Sequence, residues 1–165
     1  MAALIAGSRA PDFLLPTVDG QEISLQHSLK KGPVVLVFFK ISCPVCQYAL
    51  PFFERMYRAN PHANVSFIGI SQDKANDTKT FMKKYGVTFP VAIDDPANYA
   101  VANAYGLTNV PTLLYIAPSA HIEVSSVSWS KAEVEDVNEK LAAYRQQSPP
   151  ALWHKGEEVR DFRAG

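Results

Sequence analysis

The two cysteines of this 165-residue chain, Cys43 and Cys46, are separated by Pro44 and Val45. A disulfide between them would close a very short loop, which the chain-entropy model credits with about 2 kcal/mol, against about 4.7 kcal/mol for a 100-residue loop. Zinc sites need four ligands, and there is no second cysteine pair and no histidine at a ligand spacing from this one. The spacing therefore predicts a redox-active dithiol and no metal site.

The position of the pair in the chain predicts different roles for the two sulfurs. Cys43 follows the apolar run Val34–Phe39 and precedes a predicted helix over residues 47–59. Free N–H groups and the dipole at a helix N-terminus stabilise a thiolate, which is the nucleophile. Cys46 stands one turn later and is expected to be more enclosed. We therefore expect Cys43 to attack a disulfide and Cys46 to resolve the mixed disulfide.

The elements that must position the pair alternate along the chain. Residues 11–32 predict an extended opening with a hairpin turn at Asp19-Gly20. The six apolar residues Val34–Phe39 do not alternate with polar ones, which predicts a strand buried on both faces. Further strands are predicted over residues 64–70, 89–93, 111–116 and 122–125, and further helices over 73–85 and 96–105 and after Ser130. This alternation predicts an α/β fold.

The length of the chain and a helix-breaking sequence near its end predict one redox domain over residues 1–147 and a tail over residues 148–165. The Ser148-Pro149-Pro150 sequence breaks the last helical pattern and opens the tail. We expect the tail to dock on the domain surface, because it is too apolar for a purely solubilising segment. Its apolar residues are Leu152, Trp153, Val159 and Phe162.

Charge and hydropathy exclude some classes of binding partner. Sixteen Lys and Arg balance sixteen Asp and Glu, so no basic surface for nucleic acid or for an anionic membrane is expected. No apolar run approaches the roughly 18 residues of a membrane-spanning helix. The amino terminus has no basic region before its short apolar patch, which predicts a cytoplasmic protein. A chain trimmed at its amino terminus would give the same pattern and would be periplasmic.

Three segments carry a family resemblance. Residues 37–46, the proline at position 51 and residues 106–116 resemble the thioredoxin fold. The opening Gly-Ser-Arg-Ala-Pro-Asp-Phe sequence from residue 7 is similar to that of the redoxins and thiol–disulfide interchange proteins grouped with TlpA, ResA and AhpC/TSA proteins. The resemblance runs from about residue 7 to 145. It implies a thioredoxin-like α/β fold, in which helices flank a central mixed β-sheet behind an N-terminal hairpin extension.

The resemblance also implies a substrate site. In this family the proline equivalent to Pro111 is cis and faces the disulfide, and the preceding residue, here Val110, offers backbone hydrogen bonds to the substrate chain. From the residues alone, Pro111 is simply a proline that begins a strand. The implied partners are a protein or small-molecule disulfide and an external thiol reductant. No cofactor is expected, since there is no nucleotide motif and no third cysteine.

The chain departs from the family pattern at three positions. Ser42 replaces a common tryptophan before the first cysteine, Val37 replaces a buried aspartate, and Ala49 replaces a glutamate that follows the second cysteine. Both customary carboxylates that would carry the proton of Cys46 are therefore missing. Lys40 could lower a cysteine pKa electrostatically, but a lysine at a strand end is more often solvated.

Other activities are alternatives. The peroxiredoxin motif resembles Pro-x-x-x-Thr/Ser-x-x-Cys, but Leu36 and Lys40 stand at these positions before Cys43, and Phe39 and Cys43 before Cys46. An AhpC/TSA-like antioxidant peroxidase remains the main alternative, because the superfamily is shared. Copper-delivery proteins of this fold separate their cysteines by three residues. A binding module switched by the disulfide is a further alternative.

The tail has a second interpretation. Some bacterial redoxins that the chain resembles extend a similar tail by a few residues that contain cysteine or selenocysteine. Such an extension beyond Gly165 would bring a third redox atom to Cys43 at high effective concentration.

Overall fold

Strand β3 (Val34–Phe39) is the centre of the fold, and all six of its apolar side chains are fully buried. The computed structural model describes residues 3–165, so the predicted start of the domain at Met1 lies outside the described residues. A strand buried on both faces requires a layer of structure on each side. Its side chains alternate between two apolar cores. The first core contains Val35, Val37 and Phe39, and the second contains Val34, Leu36 and Phe38.

Five strands form the central sheet in the order β5-β4-β3-β6-β7. Strands β4 (Ser66–Ser71) and β5 (Val91–Ile93) continue the sheet in parallel on one side of β3. On the other side β6 (Thr112–Ile116) is antiparallel to β3, and β7 (Ile122–Val127) is antiparallel to β6. The sheet is therefore mixed, and the predicted α/β thioredoxin-like architecture is confirmed.

Helices cover both faces of this sheet. The first core is closed by α2 (Pro44–Ala59), α3 (Ala75–Tyr85) and α5 (Lys131–Tyr144). The second core is closed by the short helices α1 (Leu25–Leu29) and α4 (Ala100–Ala104). Both cysteines pack in or against the first core, because Cys43 is the N-cap of α2 and Cys46 lies in its first turn.

The predicted amino-terminal hairpin is present. Strands β1 (Leu14–Pro16) and β2 (Glu22–Ser24) pair antiparallel across a turn that contains Gly20 at φ +83°. The N–H of Val18 donates to the carbonyl of Val91 at 3.0 Å, so the hairpin also covers the outer edge of β5. Covering an edge strand removes a free template for intermolecular pairing.

Three helices begin at other residues than the patterns predict, and α1 lies in an opening that is predicted to be extended. Helix α3 begins at Ala75 rather than at residue 73. Helix α2 begins at Pro44 rather than at residue 47, because proline suits the first helical position and Cys43 serves as the N-cap. Helix α4 begins at Ala100 rather than near residue 96. The side chains of Asp95 and Asn98 accept hydrogen bonds from the N–H groups of residues 97 and 100, so these residues form turns instead of a helical turn.

The tail packs against the first core. Leu152 is buried in it, and the Trp153 ring lies 5.6 Å from Phe52 between centroids. Farther along, β8 (Trp129–Ser130) pairs antiparallel with β9 (Phe162–Arg163). Phe162 departs from the expected docking, because its side chain is 60% exposed and only its backbone is paired.

Candidate active site

The two cysteines lie where the chain passes from β3 into α2. Cys43 is the N-cap residue of α2, and its Sγ accepts a hydrogen bond from the N–H of Cys46 at 3.2 Å. Cys43 is half-buried, whereas Cys46 is fully buried, and both thiols are free. The structure therefore presents one accessible sulfur and places an enclosed one a helical turn away.

The surroundings of Cys46 favour the protonated thiol. Burial raises the pKa of the Cys46 thiol well above its ordinary value, while a backbone hydrogen bond from Lys40 lowers it. The neighbouring Cys43 and, less strongly, the charge of Asp73 raise the Cys46 pKa further. Val37 and Ala49, at the positions where the family carries carboxylates, are fully buried members of the same apolar core. An apolar shell disfavours a charged sulfur.

The loop before β6 brings the other predicted residues to Cys43. The peptide bond between Val110 and Pro111 is cis. The Cys43 thiol donates a hydrogen bond to the carbonyl oxygen of Val110 at 3.5 Å. Cys43 and Val110 also pack against the core that contains Cys46. The structure thus brings together Cys43, Cys46, Val110 and Pro111; their roles remain predictions.

Asp73 is a residue of this site that sequence reasoning missed. Its Oδ2 accepts a hydrogen bond from the N–H of Ile41 at 2.8 Å, while the Gln47 side chain donates to the Ile41 carbonyl at 2.9 Å. Both bonds hold the loop that leads into Cys43. A signal was available, because Asp73 follows the predicted strand next to Val34–Phe39, and parallel strands end at one edge of a sheet.

Lys40 and Ser42 are the other polar residues of the loop before Cys43, and neither is a typical metal ligand. The Lys40 ammonium lies 5.3 Å from the centroid of the Tyr99 ring, a cation–π contact. Ser42, which replaces the common tryptophan, is exposed. Among residues 3–165, no three or more His, Cys, Asp and Glu side chains converge as metal ligands.

The tail also reaches this site. The Asn109 side chain donates to the carbonyl of Gly165 at 2.8 Å, and the N–H of Gly165 donates to the Ser128 hydroxyl at 3.0 Å. A cleft of about 370 Å³ opens beside them and is also lined by Val110 and Lys40. The cis-proline loop is therefore bordered by the end of the tail.

Comparisons with known proteins agree with this geometry. The model of the AhpC/TSA family matches residues 6–125. The ResA thiol–disulfide oxidoreductase of Halalkalibacterium halodurans is 32% identical over 123 residues, which are 74% of this chain and 67% of that protein. ResA of Geobacillus thermodenitrificans is 30% identical over 145 residues, which are 87% of this chain and 80% of that protein.

The fold has solved counterparts. The crystal structure of the thioredoxin domain of a thiol–disulfide oxidoreductase from Bacteroides vulgatus superposes with a TM-score of 0.73 and 20% identity. The superposition covers 84% of this chain and 98% of that one. The thioredoxin-like fold implied by the resemblance is therefore confirmed.

The predicted cytoplasmic location is not supported. A solved structure of similar fold is that of a secreted disulfide oxidoreductase of Mycobacterium tuberculosis, with a TM-score of 0.64 and 23% identity over 79% of this chain and 95% of that one. No helix within residues 3–165 combines the length and the apolarity that crossing a bilayer requires.

The family match over residues 6–125 and the two ResA relatives lead to one conclusion: this chain belongs to the AhpC/TSA family and is a thiol–disulfide oxidoreductase of the ResA type.

Proposed function

We propose that the protein reduces or exchanges substrate disulfides through a mixed disulfide on Cys43. The observation that carries this proposal is the half-buried Cys43 sulfur, which lies 3.5 Å from the Val110 carbonyl and one helical turn from the buried Cys46. An accessible nucleophile beside an enclosed partner suits a two-step exchange.

In the first step, the Cys43 thiolate attacks one sulfur of the substrate disulfide. A bond forms between Cys43 and that sulfur, the substrate S–S bond breaks, and the other substrate sulfur leaves as a thiolate that takes a proton. In the second step, Cys46 loses its proton and attacks the Cys43 sulfur. The bond between Cys43 and the substrate breaks, and the substrate leaves with its second sulfur as a thiol. The substrate has gained two electrons from the two cysteines, which are now joined as a disulfide.

Substrate binding is assigned to Val110 and Pro111. In the free protein the Val110 carbonyl accepts the Cys43 thiol hydrogen. When Cys43 becomes a thiolate or a mixed disulfide, this hydrogen is gone and the carbonyl is left without that donor. An acceptor that loses its donor in a partly buried place is unfavourable, so an N–H of an extended substrate chain is a suitable replacement.

The partners follow from the cysteine count. The chain has two cysteines, and both are consumed when the pair is oxidised. An external thiol reductant must therefore restore the dithiol. The substrate class is a protein disulfide or a small-molecule disulfide, and the secreted Mycobacterium tuberculosis counterpart favours action outside the cytoplasm.

Trapping tests the mechanism. The Cys46→Ser protein should accumulate a mixed disulfide with oxidised insulin, because attack survives and resolution is lost, and peptide mass spectrometry should place the bond on Cys43. The Cys43→Ser protein is the matched control and should form no adduct. Normal turnover by Cys46→Ser, or an adduct on Cys46 in Cys43→Ser, would contradict the mechanism.

A further inference from the structure

Residues 160–165, here called the terminal segment, run along β8 and end beside the cis-proline loop. Its backbone pairs with β8 in the register Trp129 to Arg163 and Ser130 to Phe162. The N–H of Lys131 donates to the carbonyl of Asp161 at 2.9 Å. These contacts hold the terminal segment in an extended conformation on the face that carries Cys43.

The end of the terminal segment lies against the same carbonyl that faces the nucleophile. A Cβ built on Gly165 would collide with the backbone oxygen of Val110 and would press on the Pro111 ring. That oxygen accepts the Cys43 thiol at 3.5 Å. One carbonyl group therefore stands between the reactive sulfur and Gly165, where a substrate backbone would have to approach.

The terminal segment is anchored upstream. Farther along it is held by hydrogen bonds to its main chain and by the Arg163 guanidinium, which lies 5.1 Å from the centroid of the Tyr48 ring. Upstream, Arg55 makes a bidentate ion pair with Glu157 at 2.7 and 3.0 Å, and the Trp129 indole donates to the carbonyl of Arg160 at 2.7 Å. Beyond these anchors Phe162 and Gly165 are exposed, and the β8 pairing uses main-chain groups. Another extended chain can make the same main-chain bonds, whatever its sequence.

We propose, on the basis of the function proposed above, that the surface from Val110 to β8 is a binding site for extended polypeptide. The terminal segment occupies it as an internal competitor. A polypeptide that carries a disulfide must displace residues 161–165 before its backbone can lie along β8 and reach Val110. A small disulfide needs only the Cys43 sulfur and does not meet this competition. Because the terminal segment belongs to the same chain as the surface, its effective concentration at that surface is high.

A point substitution tests the competition. Gly165→Ala should push the end of the terminal segment off the Val110 carbonyl, because the added Cβ has no room, and Ala164→Ser is the matched control. If the terminal segment covers the surface about nine-tenths of the time, releasing it lowers the apparent KM for a cyclic disulfide peptide about tenfold. The rate with hydroxyethyl disulfide should stay unchanged. An unchanged or higher KM for the peptide would overturn the proposal.

A second measurement is independent of the chemistry. In a Cys43→Ser background, which cannot react, adding Gly165→Ala should tighten binding of the oxidised cyclic peptide about tenfold in calorimetry. Equal or weaker affinity would refute the competition even if catalysis failed for other reasons. If Gly165→Ala tightens peptide binding but the Cys46→Ser protein never forms a mixed disulfide, the surface assignment stands and the proposed function fails.

Hydrogen exchange gives the direct structural readout. The Lys131 amide, which donates to Asp161, should exchange faster when the Cys46→Ser protein carries the peptide as a mixed disulfide. The Glu133 amide, which donates to the Ser130 hydroxyl at 3.3 Å within the helix cap, should keep its protection. Retained protection of Lys131 in a fully formed adduct would show that the terminal segment is not displaced.

Discussion

The Cys43 thiol donates to the carbonyl oxygen of Val110 at 3.5 Å, although the two residues are 67 positions apart. This bond joins the end of β3 to the loop before β6. It also ties the protonation of Cys43 to the hydrogen-bonding state of a main-chain acceptor. Removing the thiol hydrogen frees this acceptor for another donor, and we propose that the N–H of a substrate polypeptide takes this place.

Asp73→Asn should lower the pKa of Cys46, because the negative charge that raises it is removed while the amide oxygen can still accept from Ile41. We expect resolution of a preformed mixed disulfide to become about threefold faster at neutral pH, because a larger fraction of Cys46 is then thiolate. Rapid-quench mass spectrometry measures that step. Asp77→Asn, an exposed carboxylate on α3, should leave the rate unchanged.

Asp73→Ala separates charge from position. It removes the same charge but also leaves the Ile41 N–H without its acceptor, so the loop into Cys43 loses one of its two side-chain bonds. If this variant resolves the mixed disulfide as fast as Asp73→Asn, the hydrogen bond to Ile41 contributes nothing to positioning.

The second chemical step should depend steeply on pH. The raised pKa of Cys46 means that its thiol is protonated at neutral pH and that its thiolate fraction grows about tenfold per pH unit. Decay of the mixed disulfide should therefore accelerate about tenfold per unit from pH 6 to 8, without a plateau. A plateau near neutral pH would show that Cys46 ionises there.

Peroxide should react slowly. Lys40 and Cys43 stand where the peroxidase motif would place its hydroxyl residue, and the fully buried Leu36 and Phe39 stand where it would place its proline. Without a hydroxyl to orient the peroxide, proximity and transition-state hydrogen bonds are missing. Stopped-flow assays with hydrogen peroxide should give a rate near that of an ordinary free thiol. Rapid consumption that depends on one cysteine would favour the peroxidase alternative.

The tail should contribute to the stability of the domain. Leu152→Ala removes a side chain that is only 4% exposed and leaves a cavity in the first core, which should cost about 2–5 kcal/mol of unfolding free energy. Phe162→Ser, at a side chain 60% exposed, should change it by less than about 0.5 kcal/mol. Urea denaturation of both variants measures the difference. Equal stabilities would place Leu152 outside the cooperative unit.

Much of the fold and the cysteine site could be predicted from local sequence patterns. The apolar run of β3 and the cysteine spacing are readable because they depend on neighbours in the chain, and Pro111 became a candidate through resemblance. The bond from Ile41 to Asp73 spans 32 positions, and the bond from Gly165 to Ser128 spans 37. Contacts of that kind arise from packing, which no short pattern encodes. The late start of α4 has a nearer cause, since turns at Asp95 and Asn98 compete with the helix.

The exposed Phe162 side chain makes the terminal segment a suitable place for a reporter, whereas Gly165 has no room for one beside Val110. A small environment-sensitive dye attached at position 162 would start beside β8 and leave that strand if a polypeptide displaces the terminal segment. Binding would then be visible as an optical signal before any sulfur reacts. An affinity tag or a surface linkage placed at Gly165 would lie directly beside the cis-proline loop, so an immobilised protein is better tethered elsewhere.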